Sequence, residues 1–111
     1  MVELPLIANP NQEFFCVLDD QECTIQLRQI GDDFYFSLWL DDTAIVQNVI
    51  CLPQEPILTN VSEYRFRGNF LLVDTTSPFD RQAKANYKEL GSRFMLYYFS
   101  QDEIAEAQNG N

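Results

Sequence analysis

The stretch Glu22-Cys23-Thr24-Ile25-Gln26-Leu27-Arg28-Gln29-Ile30, then Gly31-Asp32-Asp33, then Phe34-Tyr35-Phe36-Ser37-Leu38-Trp39-Leu40, decides the fold class of this 111-residue chain. In the first run Cys23, Ile25 and Leu27 alternate with Thr24, Gln26 and Arg28. A period of two places the apolar set on one face of a β-strand and the polar set on the other. Gly31-Asp32-Asp33 supplies turn chemistry, so the segment predicts two antiparallel strands joined by a tight turn.

The same grammar extends in both directions. Residues 13–18 predict a strand ahead of the turn Asp19-Asp20-Gln21, and residues 43–52 predict one after Asp41-Asp42. The first half therefore reads as a meander of hairpins. Further on, residues 64–66 and 69–75 suggest a hairpin around Arg67-Gly68. Residues 93–99 form a last strand, with Phe94, Leu96 and Tyr98 alternating against Met95, Tyr97 and Phe99. The expected fold is all-β, a small antiparallel β-barrel or sandwich of about six or seven strands.

Residues 1–12, which carry Pro5, Pro10 and the turn signal Asn9-Pro10-Asn11, read as an extended N-terminal arm. Residues 13–99 read as a single β domain and residues 100–111 as a polar C-terminal tail. The stretch between the last two strands is too long for a plain hairpin. Within it, Ser77-Pro78-Phe79-Asp80 has the order of a helix start, and Phe79, Ala83, Tyr87 and Leu90 share one helical face before Gly91. A short helix or ordered loop near 78–90 is expected there. A second capping box, Ser100 to Glu103, predicts no more than a frayed helical turn in the tail.

The strand at residues 34–40 is apolar on both faces. Phe34, Phe36, Leu38 and Leu40 point one way; Tyr35, Ser37 and Trp39 point the other. A strand with one wet face should be polar at alternate positions. Either this strand is covered on both sides, or Tyr35 and Trp39 belong to a partner interface. So small a domain has little material for a second cover, which favours the interface. Phe79 and Tyr87, from the 78–90 segment, join Tyr35 and Trp39 as candidate partner contacts.

Charge narrows the function classes. There are 17 acidic residues against 7 basic ones and no histidine, for a formal net charge of −10. Nucleic-acid binding needs Lys and Arg to displace phosphate counterions, so direct binding is not expected. Anionic membrane surfaces are disfavoured for the same reason. Residues 1–60 hold ten acids and one base, Arg28, whereas residues 61–111 are nearly balanced. Such asymmetry suits a subunit oriented among neighbours, although solubility alone also explains it. The N-terminal sequence shows no basic and apolar leader, and no run is long enough for a transmembrane segment.

Catalytic templates fail on inventory. Without histidine there is no imidazole base, no Ser-His-Asp or Cys-His arrangement and no imidazole metal ligand. Cys16, Cys23 and Cys51 lack metal-binding spacing and read as reduced, buried thiols; a Cys16–Cys23 cross-strand pair is conceivable. The doublets Asp19-Asp20, Asp32-Asp33 and Asp41-Asp42 offer carboxylates, but without the alternate spacing of a calcium loop. Turn chemistry accounts for them more simply than glycosidase chemistry does. No catalytic residue, metal site or cofactor is expected, and the chain reads as an assembly protein and not an enzyme. The alternative is a small sugar- or peptide-binding β module built on Trp39 and the acidic turns.

One family combines these features in order. The arm Leu4-Pro5-Leu6 and Pro10-Asn11-Gln12 is followed by Phe14, the alternating run Cys23 to Arg28, and Phe34 to Trp39 ending at Asp41-Asp42. Leu52-Pro53, Phe70-Leu71-Leu72-Val73-Asp74, Leu90-Gly91 and Met95-Leu96-Tyr97-Tyr98 complete the series. Across roughly residues 4–99 the chain resembles the phage baseplate plug proteins of minimal contractile-tailed phages related to a cyanophage. It departs from them in having only Gly68 where a glycine-rich stretch often stands, and in a basic, helix-prone segment at 79–89. The resemblance implies a small β subunit of the baseplate hub, near the tail axis, with no catalytic residues. It also implies hub, tail tube or spike proteins as partners in a symmetric assembly, and location in the virion after assembly in the bacterial host cytoplasm.

Overall fold

The computed structural model describes residues 1–58, 66–76 and 86–109. They form β1 (Val2–Glu3), β2 (Asn11–Leu18), β3 (Gln21–Ile30), β4 (Asp33–Leu40), β5 (Thr43–Cys51), β6 (Asn69–Asp74) and β7 (Phe94–Phe99). A 3₁₀ turn at Tyr87–Glu89 precedes β7, and a helix, α1 (Gln101–Asn109), follows it. The strands divide into a four-stranded antiparallel sheet ordered β2-β3-β4-β5 and a three-stranded antiparallel sheet ordered β1-β7-β6. Of the two expected architectures, the fold is the sandwich.

The inner faces carry the residues that alternation assigns to them. Ile25, Leu27, Phe36 and Leu38 from the first sheet face Phe70, Leu72, Phe94, Leu96 and Tyr98 from the second, all buried in one core. The Phe36 and Phe70 rings meet across the sandwich with centroids 4.9 Å apart. Close aromatic contacts of this kind add to the area they bury.

Turn residues explain why the first half is a regular meander. Asp19 and Asp20, between the paired residues Leu18 and Gln21, both take positive φ, at 51° and 62°. Asp41 does the same at 55°, and Gly31 at 65°. A two-residue hairpin matching the strand twist requires left-handed backbone, which Asp tolerates by bonding its own backbone. The acidic doublets are thus hairpin residues.

The strand expected at 64–66 lies mostly outside the described residues. Phe66 lies in a bend. The Phe66 ring nevertheless enters the core, 5.3 Å from Phe70 and edge-on to Tyr98 at 5.8 Å. At Gly68 φ is 113°, and a Cβ would lie 2.5 Å from the Tyr98 ring and 2.6 Å from the Phe99 carbonyl oxygen. Only glycine passes this close to β7. The chain at 54–58 runs beside β6, with Gln54 N–H donating to the Leu72 carbonyl at 2.8 Å and Ile57 N–H to that of Phe70 at 3.0 Å.

Most of the segment expected near 78–90, including Phe79, lies outside the described residues. Its end is the 3₁₀ turn, capped by Asn86 Oδ1, which accepts from Lys88 N–H at 3.0 Å. The tail is more ordered than a frayed turn: α1 runs for nine residues. Ser100 Oγ accepts from Glu103 N–H at 3.1 Å while Glu103 Oε1 accepts from Ser100 N–H at 3.0 Å. The reciprocal cap forms as its sequence predicts, and the Met1 amino group adds an ion pair to Glu103. The N-terminal segment is extended and lies against the body. Val2 and Glu3 pair with β7, Leu4 is buried, and Gln12 bonds Ile7 and Asn9 backbone groups through its side-chain amide.

One charge is buried within the sandwich. Asp74 ends the inward-facing series Phe70, Leu72, Asp74 and is 0% exposed. Arg93 reaches it through two parallel bonds, Nε to Oδ1 at 2.9 Å and Nη2 to Oδ2 at 2.8 Å. The guanidinium also lies 5.0 Å from the centroid of the Phe94 ring. Asp74 holds the Arg93 pKa above its ordinary value.

Candidate assembly surface

The outward face of the four-stranded sheet follows from the alternation that fills the core. In β2, Gln12, Phe14, Cys16 and Leu18 turn inward, so Asn11, Glu13, Phe15 and Val17 must turn outward. Phe14 packs against the core, whereas Phe15 is 80% exposed and Val17 66% exposed. Strand register then aligns Phe15 with Thr24, Thr24 with Trp39 and Trp39 with Ala44, a single row across the whole sheet. A second row runs Asn11, Arg28, Tyr35, Ile50, and a polar row of Glu13, Gln26 and Ser37 separates the two.

The polar row is partly closed by a bulge. Register between β4 and β5 shifts on either side of Leu38, and Asn48 takes φ 52°. Ser37 Oγ accepts from Asn48 N–H at 2.9 Å, which lets a serine on the outward face sit buried. The bulge leaves Tyr35 and Trp39 half-buried on one face but in different rows, roughly 13 Å apart along the strand.

Acidic residues rim the Phe15 row. The turns at Asp19-Asp20 and Asp41-Asp42 lie at one end of the sheet, where Asp41 N–H donates to the Glu22 carbonyl at 2.9 Å; Asp32-Asp33 lies at the other. A shallow cleft of about 460 Å³ opens there, lined by Phe15, Val17, Glu22, Thr24, Asp41 and Asp42, with Cys16 and Cys23 at its floor. The two cysteines are directly opposed across β2 and β3 and both are free thiols. The hydrogen bond between them lowers the Cys16 pKa and, with burial, raises that of Cys23. Cys51 is fully buried, and desolvation pushes its thiol up to about 12. Among the described residues no group of three or more potential metal ligands comes together.

The same end of the sheet is tied to the second sheet. Gln21 Nε2 donates to the Leu18 and Arg67 carbonyls, each at 3.1 Å, and Gln21 Oε1 accepts from Arg67 N–H at 2.9 Å. Tyr98 donates its hydroxyl hydrogen toward the Asp19 carboxylate and lies 2.8 Å from the Arg67 carbonyl. Burial, with the Asp19 carboxylate beside it, raises the Tyr98 pKa. The acidic hairpin is therefore held in a fixed place.

Of the residues named from sequence, Tyr35 and Trp39 share this face. Tyr87 sits elsewhere, on the 3₁₀ turn, packed partly against the core, with its N–H donating to Gln29 Oε1 at 3.0 Å. Phe79 lies outside the described residues. Phe15 and Val17, the most open large apolar side chains of the face, are absent from the sequence expectation. The doublet Phe14-Phe15 held the signal, because a strand can bury only one of two consecutive side chains against one core.

The sequence that folds into this small β-sandwich matches a known family model. Residues 1–102 match the model described as cyanophage baseplate Pam3 plug gp18. The chain belongs to the cyanophage baseplate plug family. Membership makes it a baseplate plug component and a structural virion protein, and the all-β fold agrees with it. No curated protein matches the sequence.

Proposed function

We propose that this plug protein is a structural subunit of the baseplate hub, seated near the tail axis and acting by protein–protein assembly with hub, tail tube or spike proteins. The observation that carries the reading, beside the family match, is the row Phe15, Thr24, Trp39, Ala44 on the outward face of the four-stranded sheet, with Phe15 exposed and Trp39 half-buried. Exposed aromatic side chains on a rigid sheet are characteristic of interface centres, where they bury large areas with little loss of side-chain freedom. Tyr35 and Trp39 are the contacts named from sequence. Tyr87 and Phe79 are further candidate contacts from the 78–90 segment.

The charge supports the same placement. A net charge of −10 disfavours adhesion of nucleic acid passing along the tail axis, so the protein binds neighbours without binding DNA. The proposed role needs no cofactor, metal or catalytic group and places the protein in the virion, incorporated in symmetric copies during assembly in the host cytoplasm. Quantitative mass spectrometry of purified virions, with cross-linking, tests it. Cross-links to hub, tube or spike proteins are expected; absence of the protein from intact tails would sink the reading.

The cleft beside Phe15 favours a second reading. Glu22, Asp41 and Asp42 next to an exposed ring would form a platform for a sugar or short peptide. Titration of Trp39 fluorescence with oligosaccharides tests the second reading, which alone gives saturable quenching by a sugar.

A further inference from the structure

Among the described residues the outward flank of β2 is an unpaired strand edge. Asp19 and Asp20 form a two-residue turn, so Leu18 and Gln21 exchange hydrogen bonds, and Cys16, Phe14 and Gln12 follow at every second position. Two bonds beyond the strand fix this phase. Gln29 N–H donates to the Pro10 carbonyl at 2.7 Å, and the Glu22 carbonyl accepts from Asp41, on the side away from β2. The N–H and C=O groups of Glu13, Phe15 and Val17 therefore point out of the sheet. None of them has a partner among the described residues, whereas Asn11 N–H is occupied by Asn9 Oδ1 at 3.0 Å.

The residues that offer free backbone groups also turn their side chains to the outward face, where Phe15 and Val17 are the exposed apolar groups. Natural sheets protect such edges with lysine, proline or a covering segment. Inside β2 the only charge is Glu13, and there is no proline.

We infer that the β2 edge is a strand-docking site, which takes an extended segment of a partner protein in β-augmentation. The segment would carry apolar side chains beside Phe15 and Val17 and basic side chains toward Glu13, Glu22 and the Asp19-Asp20 turn. Charge selects this occupant over a second copy of the chain. Pairing β2 with itself brings together two halves that each hold ten acids and one base within residues 1–60. The added strand would satisfy the three outward N–H and C=O pairs, and its apolar groups would extend the Phe15–Trp39 row. This inference rests on the assembly reading above and names the contact through which it acts.

The test uses the full chain and two blocked synthetic peptides of seven residues, each with Thr at the odd positions and Val at positions 2 and 4, and with Lys at position 6 in one and Glu in the other, so that the Val pair and the charge share one face; binding is followed by fluorescence anisotropy and backbone NMR. Phe15→Pro removes an outward N–H while leaving the β2–β3 ladder intact, and Val17→Lys changes only an exposed side chain. The expected result is saturable binding of the Lys peptide, with amide shifts confined to residues 11–18 and their β3 neighbours. Either substitution should weaken it by about tenfold or more, equivalent to about 1.4 kcal/mol. Thermal melting of both variants checks that they fold. Equal binding of the Glu peptide, unchanged binding by Phe15→Pro, or a dimer of the chain abolished by Phe15→Pro would each overturn the inference. Virion incorporation separates the two readings. A Phe15→Pro protein that enters tails normally overturns strand docking and leaves assembly standing, whereas a wild-type protein absent from tails overturns assembly itself.

Discussion

At the β6–β7 end of the sandwich a carboxylate is enclosed and matched bond for bond, while along β2 large apolar side chains and backbone groups stand open. Asp74 is inaccessible, clamped by two Arg93 nitrogens and by Thr76 N–H at 3.0 Å. Phe15 and Val17 face solvent on a strand of equal regularity. The difference shows that the fold is complete without the β2 flank. Interior polar groups find partners because desolvation makes an unmatched one costly. The flank escapes that requirement only while water, or a partner, reaches it.

The largest expected effect breaks the interior side of this contrast. Phe70 contacts Phe36, Phe66 and Tyr98 at the centre of the core. Phe70→Ala should cost about 3–5 kcal/mol in chemical denaturation. Gly68→Ala should come next, at about 1–3 kcal/mol, because the new methyl meets the Tyr98 ring and the Phe99 carbonyl at a strained φ. The same measurement checks it, and a cost below that of an ordinary surface change would show that β7 yields at this point.

Alkaline pH probes the interior more gently. The Cys51 thiol has a folded pKa of about 12 against an ordinary 9.0, raised by burial. The unfolded chain therefore releases this proton first, and stability declines as pH rises between about 9 and 12, being fully present below that window. Replacing Cys51 by Ala should flatten the decline in urea midpoints over that range. Alkylation of the folded protein at neutral pH should likewise modify half-buried Cys16 before Cys51.

The smallest stability effect belongs to the flank. Phe15→Ser should change unfolding free energy by no more than about 0.5 kcal/mol, since the ring is mostly in water already. A loss comparable to that at Phe70 would erase the contrast between flank and core.

How far the sequence carries follows from the same contrast. The four-stranded sheet is legible because β3 alternates cleanly and each of its hairpin turns holds Asp or Gly in left-handed geometry. Contacts there are local, so pattern and fold coincide. The second sheet assembles β1 beside β7, from opposite ends of the chain, and no local periodicity announces that pairing. Phe66 illustrates the cost: an aromatic residue that reads as strand serves as a core plug from a bend. The tail carries a weak local signal for the opposite reason, since α1 has few apolar residues and is held by its cap and the Met1–Glu103 contact. In the candidate interface, Tyr35 and Trp39 were visible as apolar residues on the supposedly wet side of a strand. Phe15 was hidden by Phe14, because residue type alone does not say which member of the doublet is inside. Asp74 falls inside the strand expected at 69–75, but its pairing with Arg93 is a nonlocal contact that no local pattern announces.

The most direct test of the assembly account is incorporation of a Phe15→Asp, Trp39→Ser double variant into virions, measured by quantitative mass spectrometry of purified tails beside a urea titration of the isolated protein. The account predicts a folded protein that is depleted from tails, because the change removes the aromatic row while sparing the core. Full incorporation of the folded variant would contradict it and move the assembly contact off the four-stranded sheet.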